Sequence, residues 1–319
     1  MKKNFSFINN KGLLSERSLY LSKKLKYNNQ PKINLRKINK YRNASSILID
    51  DYISTLNLLK LFLVLNFGKH KELIIYSYEM YFIHFNSISI NGFNFSGIKN
   101  FIFCLVKCSL LIILITFYSK KIIVCSELRK KLIKKKFKNK KVYVIPNRYF
   151  KKKININYNK KLRNFIFIAG SINNVDDFEK LCIFCKNSNI RIIITSQGNN
   201  FDMIKKFSKI IDDKGYLNSK KIFHYINNSL ACACFYNNDN YNQKFASSIK
   251  LHEYMFFSKK IIISDNPGLK YDLKNNSYKN YLNINKLNER SFKKLLNLKN
   301  ISNQKNKISY QDYLSSLVI

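Results

Sequence analysis

Short apolar runs rich in Ile, Val and Phe recur along this chain, and longer amphipathic stretches separate them. The runs at residues 5–8, 47–49, 73–76, 122–124, 142–145, 165–169, 191–195, 230–235 and 261–264 are too short for helices and lack strict alternation, the pattern of strands covered on both faces. Apolar positions three and four apart predict helices at 15–25, 55–67, 98–118, 127–137, 175–186 and 249–257. Strand, helix and strand in series implies parallel sheets wound right-handedly.

Nine strands exceed a comfortable single sheet, and the pattern breaks at Pro146, where the lysine-rich KKKININYNKK follows. The chain therefore reads as two α/β domains, 1–145 and 164–319, joined by a basic linker at 146–163. A last helix is expected to pack back on the first domain. Residues 101–118, FIFCLVKCSLLIILITFY, are at the lower edge of membrane-spanning length. Lys107 within them would cost about 2.5 to 3.5 kcal/mol in a bilayer. The segment is expected to be a helix buried under a sheet, with in-plane membrane contact as the alternative.

Composition changes the picture mainly through charge. The 319 residues carry 58 Lys+Arg against 18 Asp+Glu, a formal net charge of +40. Lysine supplies 50 of those cations and arginine 8, in a chain equally crowded with Asn and Ile, the signature of A-rich codons. A field this positive favours anionic partners whatever its origin, but no specific nucleic acid is expected, because the Arg forks that read bases and phosphates are scarce. Residues 128–163 hold 16 Lys+Arg and no acid, and residues 1–43 hold 12 against one acid. These clusters are expected to feel an anionic membrane surface. Seven cysteines sit in apolar runs; Cys182-x-x-Cys185 and Cys232-x-Cys234 lack the turn glycines of a zinc knuckle and read as small buried hydrophobes, with no metal site. The N-terminus shows no signal-peptide pattern, which makes the cytoplasm the expected compartment.

Open parallel sheets bind ligands beyond the carboxyl ends of their strands, where turns lead into helix N-termini. In the second half those turns are Ala169-Gly170-Ser171, Ser196-Gln197-Gly198, the polar loop after Phe235, and Ser264-Asp265-Asn266-Pro267-Gly268. The loop after Phe235 ends in Ser247-Ser248, either of which can cap the helix that follows. Lys250 stands one turn in and Glu253 five residues beyond Ser248, which makes this helix start a phosphate site.

The stretch Ser248-Ile249-Lys250-Leu251-His252-Glu253-Tyr254-Met255, followed by Lys259-Lys260-Ile261-Ile262-Ile263-Ser264-Asp265 and Pro267-Gly268-Leu269, resembles the signature of the group 1 family of glycosyltransferases with the GT-B fold. Val144-Ile145-Pro146-Asn147 is similar to that family's inter-domain linker. Phe167-Ile168-Ala169-Gly170-Ser171 is similar to its first C-terminal strand and glycine turn, and Lys214-Gly215-Tyr216-Leu217 to its G-[YF]-[VL] turn. The likeness covers residues 142–270 well and rests on element order before them.

The resemblance implies two Rossmann-like domains with parallel sheets facing across a cleft, and a nucleotide diphosphate sugar as donor substrate, with no cofactor. It implies that Glu253 binds the ribose hydroxyls, that Ser247, Ser248 and Lys250 hold the diphosphate, and that Gly170 and Ser171 form the turn at the donor. On the acceptor side it points to Gly12 and Arg17 for phosphate or acceptor contacts and to Glu79 as the catalytic candidate. No D-x-D occurs in the chain, which agrees with a metal-independent enzyme.

Two departures accompany the likeness. Phe245 stands where many relatives carry a glutamate for the donor sugar, and Phe256-Phe257-Ser258-Lys259-Lys260 replaces A-A-G-K-P, losing a glycine and a proline. His70, His84, His224 and His252 have no motif around them and read as packing or surface residues. The expected function is transfer of a sugar to a hydroxyl of a glycan or lipid-linked acceptor, in bacterial surface polysaccharide synthesis, on the cytoplasmic side and peripherally at the membrane. A non-catalytic anion-binding scaffold and a basic nucleic-acid binder are the alternatives.

Overall fold

The structure is a computed structural model that describes residues 4–7, 21–30, 33, 36, 41, 44–50, 54–66, 72–77, 95–145, 147, 163–170, 172–195, 201–239 and 241–298. The chain divides into two units, Met1–Pro146 and Asn147–Ile319. Within the predicted linker only Asn147 and Arg163 are described, and residues 299–319 lie outside the described residues.

In the first unit the elements are β1 (Phe5–Phe7), β2 (Asn28–Asn29), β3 (Ser46–Asp50), α1 (Thr55–Asn66), β4 (Glu72–Ser77), α2 (Phe95–Ile113), β5 (Ser119–Val124), α3 (Glu127–Lys136) and β6 (Lys141–Val144). Of the helix predicted at 15–25, residues 21–24 are described and helical. The six strands form one parallel sheet in the order β2-β1-β3-β4-β5-β6. Ile47, Ile49, Leu73, Ile75, Ile122 and Val124 pack against Leu58, Leu61 and Val64 of α1, Leu111 of α2 and Ile133 of α3 in one core. Segment 101–118 is thus a helix covering the sheet, as expected, although its last residues, Leu114–Tyr118, widen into a π-turn. No described helix is long and apolar enough to cross a membrane.

The second unit runs β7 (Arg163–Ile168), α4 (Val175–Asn187), β8 (Arg191–Ile194), α5 (Phe201–Lys206), β9 (Ile211–Asp213), α6 (Ser219–Asn228), β10 (Ser229–Cys234), α7 (Tyr241–Lys244), α8 (Ile249–Phe256), β11 (Ile261–Ile263), α9 (Pro267–Asn275), β12 (Tyr281–Asn283) and α10 (Glu289–Asn297). Its parallel sheet has the order β12-β11-β10-β7-β8-β9. The period of two is visible in the two cores. Ile166, Ile168, Ile192, Ile194, Ala231 and Ala233 face α4 and α10, while Phe165, Phe167, Ile193, Cys232 and Cys234 face α6, α8 and α9. The cysteines resolved in these cores behave as small apolar side chains, all of them buried.

All nine predicted strands are present, with ends shifted by at most three residues. The strands β2, β9 and β12 were not anticipated. Each lies at a sheet edge and carries no apolar run, so only its backbone pairing marks it as a strand. Asparagine and serine caps start the second unit's longer helices: Asn174, Asn218, Ser248, Asn266 and Asn288 each accept a backbone N–H of the first turn.

Candidate functional site

In the second sheet the chain winds outward from β7 through β8 to β9, then returns to the other side of β7 as β10 and continues through β11 to β12. Between β7 and β10 the strand order reverses, and at such a point the connections leave in opposite directions and open a crevice beyond the strand ends. The turn after β7 carries Gly170, and the chain after β10 leads through Tyr236 to α8.

Gly170 takes φ +71°, the left-handed region that suits glycine. Its N–H donates to Thr195 Oγ1 at 2.6 Å, and the N–H of Ala169 donates to Tyr254 Oη at 3.0 Å. The turn is therefore held from β8 on one side and from α8 on the other. A Cβ at Gly170 would sit 3.0 Å from both Cε and Nζ of Lys250. The glycine's missing side chain is the space the Lys250 ammonium occupies. Burial pushes the Lys250 amine below its ordinary value, opposed in part by the Glu253 carboxylate nearby.

The entry to α8 is fixed by polar contacts at almost every residue. Ser248 Oγ accepts from Leu251 N–H at 3.3 Å and from Tyr236 Oη at 3.2 Å, and Asn147 Nδ2 donates to the Ser247 carbonyl at 2.5 Å. Ser247 Oγ lies 3.2 Å from His252 Nε2, and the same nitrogen lies 3.2 Å from Asp272 Oδ2 on α9. Ser247, Ser248, His252 and Asp272 are all buried. The start of α9 closes the loop from outside: a Cβ on Gly268 would fall 2.5 Å from the Ala246 carbonyl oxygen, and Asn266 Nδ2 donates to the Gln243 carbonyl at 3.1 Å. Only glycine allows that approach.

Of the sequence candidates, Gly170, Ser247, Ser248, Lys250 and Glu253 thus come together around one helix start. Gly12, Arg17, Glu79 and Ser171 lie outside the described residues, as do His70 and His84. The Gly215 turn sits at the carboxyl end of β9 with φ +58°, its N–H donating to Asp213 Oδ1 at 2.9 Å and Tyr216 exposed beyond it. Phe245 is half-buried, with the Lys244 ammonium 6.0 Å from its ring centroid. The sequence reading set His252 aside. Its position inside the K-L-x-E-Y-M stretch, one turn beyond two serines, was the available signal. Tyr254 and Thr195 were also missed, because their partners are backbone groups that only the folded chain brings near.

No family model matches the chain, and no curated protein matches it in sequence. Solved structures do match. AviGT4, a glycosyltransferase involved in avilamycin A biosynthesis, is 7% identical, and the superposition covers 98% of this chain and 95% of that one with a TM-score of 0.57. The glycosyltransferase SnogD from Streptomyces nogalater is 9% identical over 99% and 96% of the two chains, with a TM-score of 0.47. The chain has the GT-B fold. At 7% identity the fold is what is shared, and in a GT-B protein the β7–β10 switch point with the α8 N-terminus belongs to the second of two Rossmann-like units.

Proposed function

We propose that this GT-B protein is a glycosyltransferase that moves a sugar from a nucleotide diphosphate donor to a hydroxyl of a glycan or lipid-linked acceptor. The observation that carries the reading is the Lys250 ammonium lying over Gly170 at the start of α8, beside the switch point of the sheet. A diphosphate placed there would meet the positive end of the helix dipole and a partly desolvated cation. As the glycosidic bond breaks, negative charge grows on the leaving diphosphate. Fixed dipoles and a held ammonium stabilise that charge without reorganising. These groups supply the positive charge that a metal supplies in D-x-D enzymes, so the reading is metal-independent and has no cofactor. Glu253, one turn further along α8 and half-exposed, is assigned to the ribose hydroxyls.

The setting is bacterial surface polysaccharide synthesis at the cytoplasmic face of the membrane, where an acceptor carried on lipid would reach the enzyme. Phe245 removes a carboxylate from the sugar end of the site, which favours a donor sugar held by fewer polar contacts than the relatives use. The test is a screen of nucleoside diphosphate sugars for binding, by thermal stabilisation, and for turnover, by mass spectrometry. At least one donor should bind and turn over, with chelator making no difference. Glu253→Gln should weaken nucleotide binding by about 1.5 to 3 kcal/mol, and Lys250→Ala should lower affinity for the diphosphate, both in folded protein. Unchanged affinity in both variants removes the site assignment; binding without turnover of any donor favours the scaffold reading.

A further inference from the structure

We propose that His252 and Asp272 are positioning residues that act through Ser247, setting its hydroxyl so that the proton is offered to an anionic oxygen of the diphosphate. This role rests on the donor reading of the site.

Ser247 stands one residue before Ser248, the cap of α8. Its carbonyl accepts from Asn147 Nδ2 at 2.5 Å, which fixes the backbone there. Among the described residues its hydroxyl has one partner, His252 Nε2, at 3.2 Å. A serine hydroxyl both donates and accepts, whereas an imidazole nitrogen does one or the other, so two arrangements compete. With a lone pair on Nε2, the ring takes the Ser247 proton and none is left for a ligand. With a proton on Nε2, Ser247 Oγ is the acceptor and keeps its own proton to give.

Asp272 decides between them. Its Oδ2, reaching from α9, lies 3.2 Å from the same nitrogen, and the two side chains are 6% and 7% exposed. A lone pair on Nε2 would face a carboxylate oxygen in surroundings that screen poorly; a proton there turns repulsion into attraction. Among the described residues Oδ2 accepts no other hydrogen bond, and none reaches His252 Nδ1 to set the ring otherwise. The proton therefore sits on Nε2, in the neutral ring and in the imidazolium alike. That leaves the Ser247 proton without a described acceptor on a residue only 7% exposed, at the helix start that also carries the Lys250 ammonium. A buried hydroxyl donor with no protein acceptor is poised for a ligand oxygen.

The sign of one effect separates this role from simple charge. Asp272 is a negative group close to an anion site, so by Coulomb's law alone its removal would tighten diphosphate binding. Acting through Ser247, its removal weakens binding instead.

Calorimetry with UDP, GDP, ADP and CDP finds the nucleoside diphosphate that wild type binds most tightly, and that one is titrated into folded variants. Asp272→Leu, His252→Leu and Ser247→Ala should each lower affinity about tenfold, and Ser247→Ala combined with Asp272→Leu should lose no more than either alone. His252→Gln should stay within about twofold of wild type, because its amide N–H groups can donate to both Asp272 and Ser247. In 15N-edited proton spectra, the histidine signal that disappears in His252→Gln should show the proton on Nε2. Should Asp272→Leu fail to fold, the proton position and the comparison of His252→Gln with His252→Leu decide. A wild-type His252 protonated on Nδ1 alone, unchanged or tighter binding in Asp272→Leu, equal losses in His252→Gln and His252→Leu, or additive losses in the double variant would overturn the role and leave the donor reading standing. A wild type that binds none of the four nucleotides removes the donor reading and this role with it.

Discussion

Ser258 follows α8 with φ +53°, the left-handed region that favours glycine. The hydrogen bonds there, Ser258 N–H to the Met255 carbonyl at 3.0 Å and Lys259 N–H to the Tyr254 carbonyl at 3.0 Å, are those of a left-handed helix closure. Asn189 after α4 and Ser277 after α9 close their helices the same way, with φ of 52° at each. A chain with 8 glycines therefore ends these helices with residues whose Cβ strains the turn. Ser258→Gly should raise the unfolding free energy by about 1 kcal/mol in a urea titration, and Ser277→Gly should do the same. A stabilisation near zero at both sites would mean that the lost side-chain contacts balance the relieved strain. Two of the glycines the chain does keep stand where a side chain is unfavourable: Gly170 has φ +71° and lies against the Lys250 side chain, and a Cβ on Gly268 would collide with the Ala246 backbone.

At the scale of elements, the polar contacts at the start of α8 and the thiols beneath the sheet show opposite uses of burial. Ser247 Oγ and, from α9, Asp272 Oδ2 each lie 3.2 Å from His252 Nε2, so the first turn of α8 rests on a buried polar cluster. Lys259, also buried, donates to the carbonyls of Asn227 and Ser229 at 3.2 and 2.6 Å and thereby closes α6. Cys182 on α4 and Cys232 on β10 are buried in the second unit's two cores, and burial pushes their thiols from the ordinary 9.0 up to about 12 and about 11, the latter against the opposing effects of Lys259 and of Ser229, 3.5 Å from Cys232 Sγ. Below pH 9 these thiols are protonated whether the chain is folded or not, and they add no pH dependence. Above it the unfolded chain releases protons that the folded chain retains, so stability falls as pH rises, by about 1.4 kcal/mol per pH unit for each thiol. Urea unfolding between pH 8 and 10.5 should show a decline that is shallower by one proton in Cys182→Ala. Equal slopes for variant and wild type would contradict the burial argument.

At the scale of the molecule, each unit has its own sheet and its own core, and every described residue of the proposed donor site belongs to Asn147–Ile319. Even Asn147, which holds the Ser247 carbonyl, is the first residue of that unit. A fragment of residues 147–319 should fold by itself and bind a nucleoside diphosphate with an affinity within about tenfold of the full chain, measured by calorimetry, while transferring no sugar. A fragment that folds but binds no nucleotide would show that the first unit supplies part of the donor site.

The alternation of apolar runs and amphipathic stretches was enough for two α/β units and nine strands, because strands covered on both faces must be continuously apolar and the helices over them must be one-sided. The Ser248-to-Met255 stretch was likewise legible, since a capped helix with a lysine in its first turn is a local property of consecutive residues. Other features depended on distant parts of the chain meeting. Edge strands such as Tyr281–Asn283 owe their form to the backbone of a neighbour and leave no apolar trace. The reversal of strand order between β7 and β10, which puts Gly170 opposite Lys250, is a property of the sheet and of no single segment. The same holds for His252, whose partners are five and twenty residues away.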